Sequence, residues 1–187
     1  KIGDGLAHGD ALPIITVSAE GMTPSAKDAS PIMPCVGERR SLPGDAESFG
    51  ILLHALLERR TENAETGDWW KMLGFDEGEY RRALPVAERL LVAPGLQRFF
   101  DSSQYCRAWN EIDLASGDGV LRRIDRLVEF DDAIWVLDYK SSGSDTLRLG
   151  EYREQVSAYC QAVAGVFPGK TVHGGLIFAD GVLVEIH

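Results

Sequence analysis

Asp125, Asp138 and Lys140 stand in the short stretch from Arg123 to Lys140, and their spacing is that of chemistry on a β-hairpin. If Asp131-Asp132 is a two-residue loop, Phe130 pairs with Ala133 and Asp125 falls opposite Asp138. Directly opposed residues share a face with Cβ atoms about 4.5–5.5 Å apart, where like charges repel. Lys140, two residues beyond Asp138, joins that face by the strand period. Two carboxylates and an ammonium beside Ile134 and Val136 need compensation. A hard divalent cation supplies it, because Mg²⁺ is typically held by one or two carboxylates plus substrate phosphate oxygens. A slip of one residue would instead send the aspartates to opposite faces. The plain competitor is a solvated edge with surface aspartates and a salt-bridging lysine.

The elements around this hairpin follow from periodicity. Phe49, Leu52, Leu53, Leu56 and Leu57 recur as one helical stripe, with Asp45 a candidate N-cap. Residues 68–100 read as further helix, with Tyr80, Leu84, Ala87, Leu90 and Leu91 on one side and Pro85 and Pro94-Gly95 kinking or dividing it. From Ser103 the period shortens. Strands are expected over Tyr105–Leu114, Val120–Phe130 and Ile134–Tyr139, with Gly117-Asp118-Gly119 a turn. A Gly/Ser-rich loop, Ser141–Asp145, precedes an amphipathic helix marked by Tyr152, Val156, Tyr159, Val163 and Val166 and stopped by Pro168-Gly169. Val172–Phe178 and Val182–Ile186 around Asp180-Gly181 read as a closing hairpin. Residues 1–46 hold five of the eight prolines and no sustained period, so they read as an irregular arm or linker ahead of a domain over 47–187.

A chain of 187 residues, 44% hydrophobic and 26% charged, has the proportions of one ordinary globular domain. Lys and Arg number 19 against 29 Asp and Glu, a net charge of −10 that argues against coating nucleic acid by charge alone. An enzyme that gathers cations at carboxylates is not excluded. Cys35, Cys106 and Cys160 are too few and too scattered for a CxxC pair, a disulfide framework or a four-cysteine iron–sulfur site, and read as buried free thiols. No apolar run approaches a membrane span of about 20 residues, and no signal peptide opens the sequence. The start at Lys1 and the stop at His187 within an expected strand suggest a piece of a larger polypeptide. Neither a GxxxxGK phosphate loop nor a GxGxxG after a strand is present, so any ATP-driven activity must lie elsewhere.

Five motifs in order resemble the PD-(D/E)XK nucleases, in particular the RecB-like nuclease domains of bacterial recombination helicases. They are Gly50-x-x-x-His54 with Glu58, Glu111, Ile124-Asp125-Arg126, Asp138-Tyr139-Lys140-Ser141 and Gln155-x-x-x-Tyr159. The run Val166-Phe167-Pro168-Gly169-Lys170 through Asp180-Gly181 is most similar to the C-terminal nuclease domain of AddA-type helicase–nucleases. Ser141 stands where Thr is usual, and Gly119 precedes Asp125 at a departing spacing. The resemblance covers residues 47–187. It implies an α/β, restriction-endonuclease-like fold: a central mixed sheet of four to five strands flanked by helices in the order αβββαβ. It implies hydrolysis of DNA phosphodiester bonds with Mg²⁺ or Mn²⁺ held by His54, Asp125, Asp138, the main-chain carbonyl of Tyr139 and, in addition, Glu111. Lys140 would orient the attacking water, with Gln155 and Tyr159 behind it. No iron–sulfur cluster is expected. The implied partners are DNA ends or single strands, a helicase motor in the same parent chain and a second helicase–nuclease subunit, in a bacterial cytoplasm near the nucleoid. A nuclease-like domain kept for DNA-end binding or subunit docking is the alternative.

Other residues have two readings each. Neighbours Ile51, Leu57 and Glu58 put His54 at the edge of its apolar stripe, as ligand or as surface histidine. Glu111 competes with Asp113, on the same strand face, as the first acid. Tyr159 continues a core stripe. Trp69, Trp70 and Trp135 could stack bases or fill the core. Lys71, Arg81, Arg82, Arg122, Arg123 and Arg126 could line a strand channel or be solvated.

Overall fold

The structure is a computed structural model, and it describes residues 15–16, 45–64, 67–115 and 121–186. Most of the expected 1–46 arm, Cys35 and the Gly117-Asp118-Gly119 turn lie outside the described residues. Helices α1 (Asp45–Thr61), α2 (Trp69–Met72) and α3 (Glu77–Val92) come first, then strands β2 (Arg107–Ala115), β3 (Leu121–Glu129) and β4 (Ala133–Lys140). Helix α4 (Leu149–Ala164) crosses to β5 (Thr171–Phe178), and β6 (Leu183–Ile186) closes the chain. A two-residue strand, β1 (Ile15–Thr16), pairs parallel with Leu114–Ala115 at the edge. The sheet order is β1-β2-β3-β4-β5-β6, so six strands stand where four to five were expected, the sixth being this short edge piece.

β2, β3 and β4 form an antiparallel meander, β4 and β5 pair in parallel, and β5 and β6 are antiparallel. This is a mixed sheet in the restriction-endonuclease-like arrangement. Helices α1 and α3 cover one face through Leu52, Leu53, Leu56, Leu57, Ala83, Ala87 and Leu90, which meet Val128, Trp135, Leu137 and Tyr139. Helix α4 covers the other through Tyr159 and Val163 against Ile112, Ile124, Leu127, Ile134 and Val136. Covered on both faces, β4 is buried along nearly its whole length, as a central strand under two helix layers must be. Gly174 on β5 admits α4: a Cβ there would lie 2.6 Å from Val156 Cγ1.

Two expectations about the helices change. Asp45 is the first residue of α1, in its first turn, where a carboxylate still complements the helix dipole. Helix α3 runs through Pro85 and ends before Pro94, with Ala93 extended as the residue before a proline must be. Its start is fixed by a capping box: Glu79 N–H donates to Asp76 Oδ1 and Asp76 N–H to Glu79 Oε2, both at 2.8 Å. Cys106 is exposed rather than buried, and Cys160 is partly buried.

Candidate active site and metal centre

The Asp131-Asp132 loop forms as expected: Phe130 N–H donates to the Ala133 carbonyl at 2.8 Å, and Arg126 pairs with Leu137. The ladder stops there. The expected direct pairing of Asp125 with Asp138 is not made, because β3 and β4 part at this point and the Asp125 side chain takes the place of the backbone. Its Oδ2 accepts the Tyr139 N–H at 2.6 Å. Asp125 turns toward α1, while Asp138 and Lys140 continue the row of Ile134 and Val136 that faces α4.

A local change of face produces this geometry. On β2, Asn110 bonds Thr61 and Glu62 at the end of α1, whereas Ile112 packs on the α4 side. On β3, Arg126 faces Asn110 and Phe99, whereas Ile124 packs on the α4 side. Between them Glu111 adopts φ 52°, and Glu111 and Asp125 are missing from an otherwise continuous β2–β3 register. A left-handed glutamate in a strand is strained, and such strain persists only where the surroundings impose it, commonly at functional sites. The kink lets two consecutive residues on each strand serve the α1 side.

His54 enters from α1. Its Nε2 lies 3.0 Å from the Tyr139 carbonyl oxygen and its Nδ1 3.3 Å from Asp125 Oδ1. Gly50, one turn earlier, lets the helix settle against Ser141, whose Oγ would be 3.2 Å from a Cβ there. Burial by itself would lower the His54 pKa. The Asp125 hydrogen bond, the charges of Asp125 and Asp138 and the Tyr139 carbonyl outweigh it, so the imidazole is held above its usual value. Both ring nitrogens face oxygen atoms, so the ring stands between carboxylate and carbonyl in a place that suits a cation.

Asp138 is 3% exposed. Burial, then the nearby Asp125 charge, push its carboxyl up to about 6, against the opposing pull of Lys140. Its Oδ2 is buried without an aligned hydrogen-bond donor among the described residues, and Lys140 Nζ lies 2.5 Å from it. Lys140 Nζ is also 3.4 Å from Gln155 Oε1, and Gln155 Nε2 donates to Tyr159 Oη at 2.7 Å. Thus Tyr159, Gln155, Lys140 and Asp138 form one chain of contacts reaching inward from α4.

Glu111, His54 and Asp125 each offer a ligand atom within 4.8 Å of the others. Arg123 holds both acids that competed for the first position: Nη1 donates to Glu111 Oε2 and Nε to Asp113 Oδ1, each at 2.9 Å. Only Glu111 joins the His54–Asp125 group; Asp113 is exposed.

The donor set fits a hard divalent ion. Imidazole, carboxylates and a main-chain carbonyl converge: His54, Glu111 and Asp125 each offer a ligand atom within 4.8 Å of the others, and the Tyr139 carbonyl oxygen lies beside His54.

The profile of the PD-(D/E)XK nuclease superfamily matches residues 36–180. The chain belongs to this superfamily. No curated protein matches the chain in sequence. PD-(D/E)XK nucleases typically use divalent metals and act on nucleic acid, in keeping with the donor set. No helix among the described residues is long and apolar enough to cross a membrane.

Several candidates fall away from the site. Trp70 and Trp135, offered as base-stacking residues, are buried in the core under α1 and α3. Trp69 is half-buried beneath Arg59. Arg126, offered as a channel residue, is 1% exposed and donates to the Phe99 carbonyl at 2.9 Å, Asn110 Oδ1 at 2.6 Å and Tyr105 Oη at 3.2 Å. Lys71 pairs with Asp68, the residue just ahead of α2, and Arg81 with Glu77 within α3. Two further side chains bear on the site. Glu58, one turn from His54, has its pKa raised by burial and then by the charge of Glu111. Tyr152, a member of the apolar stripe of α4, lies under Lys140, with Nζ 4.2 Å from its ring centroid.

Proposed function

We propose that this chain is the nuclease domain of a bacterial helicase–nuclease of double-strand break repair and recombination, hydrolysing DNA phosphodiester bonds with Mg²⁺ or Mn²⁺. The observation that carries the reading is the junction where β3 and β4 part. There Asp125, His54 and the Tyr139 main chain meet within hydrogen-bond or ion-pair reach on the α1 side, and Asp138 pairs with Lys140 on the α4 side of the same strand end.

His54, Asp125, Asp138, the Tyr139 carbonyl and Glu111 would hold the ion. Such an ion would supply Lewis acidity toward the scissile phosphate and toward a bound water. Asp125 fixes the Tyr139 peptide through its N–H, so the carbonyl of the same residue stays turned to His54. Lys140, with its side chain 15% exposed, can reach an attacking water and the negative charge that grows on the phosphate. Gln155, anchored by Tyr159, keeps its amide oxygen toward Lys140.

Intact Asp125, Asp138 and Lys140 speak against a silent binding domain, which has no use for repelling buried acids. The helicase context rests on the motif order and the 166–181 run. The net charge of −10 gives the chain little capture of DNA, so a motor in the parent chain, working with a second subunit, would deliver the strand. The test is cleavage of labelled single-stranded DNA by this chain: Mn²⁺ or Mg²⁺ should support slow cleavage that ATP does not change, and chelator should abolish it. Cleavage that persists in chelator would overturn the reading.

A further inference from the structure

Among the described residues, the Lys140 ammonium meets Asp138, Gln155 and the ring of Tyr152. The first is a temporary partner in the proposed reaction, since an Asp138 carboxylate that turns to a metal ion shares its oxygen with that ion. The Gln155 contact is long at 3.4 Å and is a single acceptor for an ammonium with three donors. The ring of Tyr152 remains. Its centroid lies 4.2 Å from Nζ, well inside the ~6 Å reach of a cation–π contact. The ring is fixed in turn: Tyr152 packs on the Val156, Leu176 and Phe178 cluster between α4 and β5, and the Arg148 guanidinium lies 5.2 Å from its centroid. Tyr152 is one turn of α4 from Gln155, so both hold Lys140 from a single rigid element.

We infer that Tyr152 is a positioning residue for Lys140: its ring face holds the ammonium over the reacting centre when Asp138 is engaged elsewhere. This rests on the nuclease reading for its consequence, but not for its geometry. The contribution comes from the ring and not the hydroxyl, because Phe offers a comparable face while Leu fills similar apolar space without one.

Turnover of single-stranded DNA at saturating Mn²⁺ is measured for wild type, Tyr152→Phe and Tyr152→Leu, with Mn²⁺ affinity by calorimetry and Lys140 Cε-proton shifts by NMR. Tyr152→Phe should stay within about twofold of wild type. Tyr152→Leu should lose about tenfold in kcat, the scale of a partly desolvated cation–π contact, with KM and Mn²⁺ affinity within twofold. The upfield ring-current shift of the Lys140 Cε protons should survive in Tyr152→Phe and vanish in Tyr152→Leu. Unchanged kcat in Tyr152→Leu, an equal loss in Tyr152→Phe, or no ring-current shift in the wild type would each overturn the inference. A wild-type chain that shows the shift but cleaves nothing would uphold the positioning and sink the nuclease reading instead.

Discussion

Asp125 Oδ2 accepts the main-chain N–H of Tyr139 at 2.6 Å, so a side chain ties β3 to β4 where their backbones no longer pair. The same carboxylate faces His54 through Oδ1. Removing it should therefore do two separable things. Asp125→Ala loses a metal ligand and also leaves a partly buried N–H unpaired. A hydrogen bond to a charged group contributes about 1.5–3 kcal/mol, less the relief of repulsion with Asp138. Urea denaturation of the metal-free protein should show Asp125→Ala destabilised by about 1–2 kcal/mol, still cooperatively folded and without activity.

Asp138 should behave in the opposite sense. Its carboxyl is raised from 3.8 to about 6, chiefly by burial and then by Asp125. Between those two values the native state binds the proton more tightly than the unfolded chain, so stability falls as pH rises from about 4 to about 6 and stays lower above. Two units correspond to about 3 kcal/mol. Asp138→Asn forgoes the Lys140 ion pair, which reduces the gain. Metal-free Asp138→Asn should be more stable than wild type by about 1–2 kcal/mol at pH 7.5, with the difference gone near pH 4. Equal stability at both pH values would contradict the burial of a charged Asp138.

Much of this arrangement is legible in the sequence, because period and turn chemistry are local. Asp131-Asp132 sets the register that puts Arg126 opposite Leu137, and Asp138 and Lys140 share a face as period two requires. His54 lies at the edge of its stripe, and from that edge it reaches Tyr139. The parting of the strands at Asp125 is not legible. It depends on a left-handed Glu111, which a strand pattern gives no reason to expect. Nor is the burial of Arg126, whose acceptors come from Phe99, Asn110 and Tyr105, residues with no sequence mark of a shared site. Trp70 and Trp135 illustrate the converse, since an aromatic ring has the same sequence signature in a core as on a binding face.

Arg126 supplies a third prediction. It is a buried cation satisfied by neutral acceptors, with no carboxylate against it in those contacts. Arg126→Leu leaves the Phe99 carbonyl and Asn110 Oδ1 without their Arg126 donor, at about 1–3 kcal/mol each, and should lower stability by about 2–5 kcal/mol. Arg126→Lys should not restore it, because an ammonium cannot reproduce the planar fork. Chemical denaturation of both variants checks this.

Metal binding should release protons. The His54 imidazole is held above its usual pKa, and Asp138 titrates at about 6. A ligand must shed its proton to coordinate. Calorimetric titration with Mn²⁺ in buffers of different ionisation enthalpy should show at least one proton released at pH 6 and fewer at pH 8. Asp138→Ala should abolish tight binding, and equal Mn²⁺ affinity in that variant and wild type would remove Asp138 from the ligand set.

The most direct measurement is the single-turnover rate of single-stranded DNA cleavage by Lys140→Ala at saturating Mn²⁺. A residue that acts on the water and the growing charge, but does not ligate the ion, should leave Mn²⁺ affinity equal or slightly higher. Its loss should cut the rate by a factor of ~10²–10³, the scale of one preorganised electrostatic stabiliser, and Lys140→Arg should recover little of it. A rate near that of the wild type would mean that Lys140 does not act at the reacting phosphate, and the nuclease account of this site would fail.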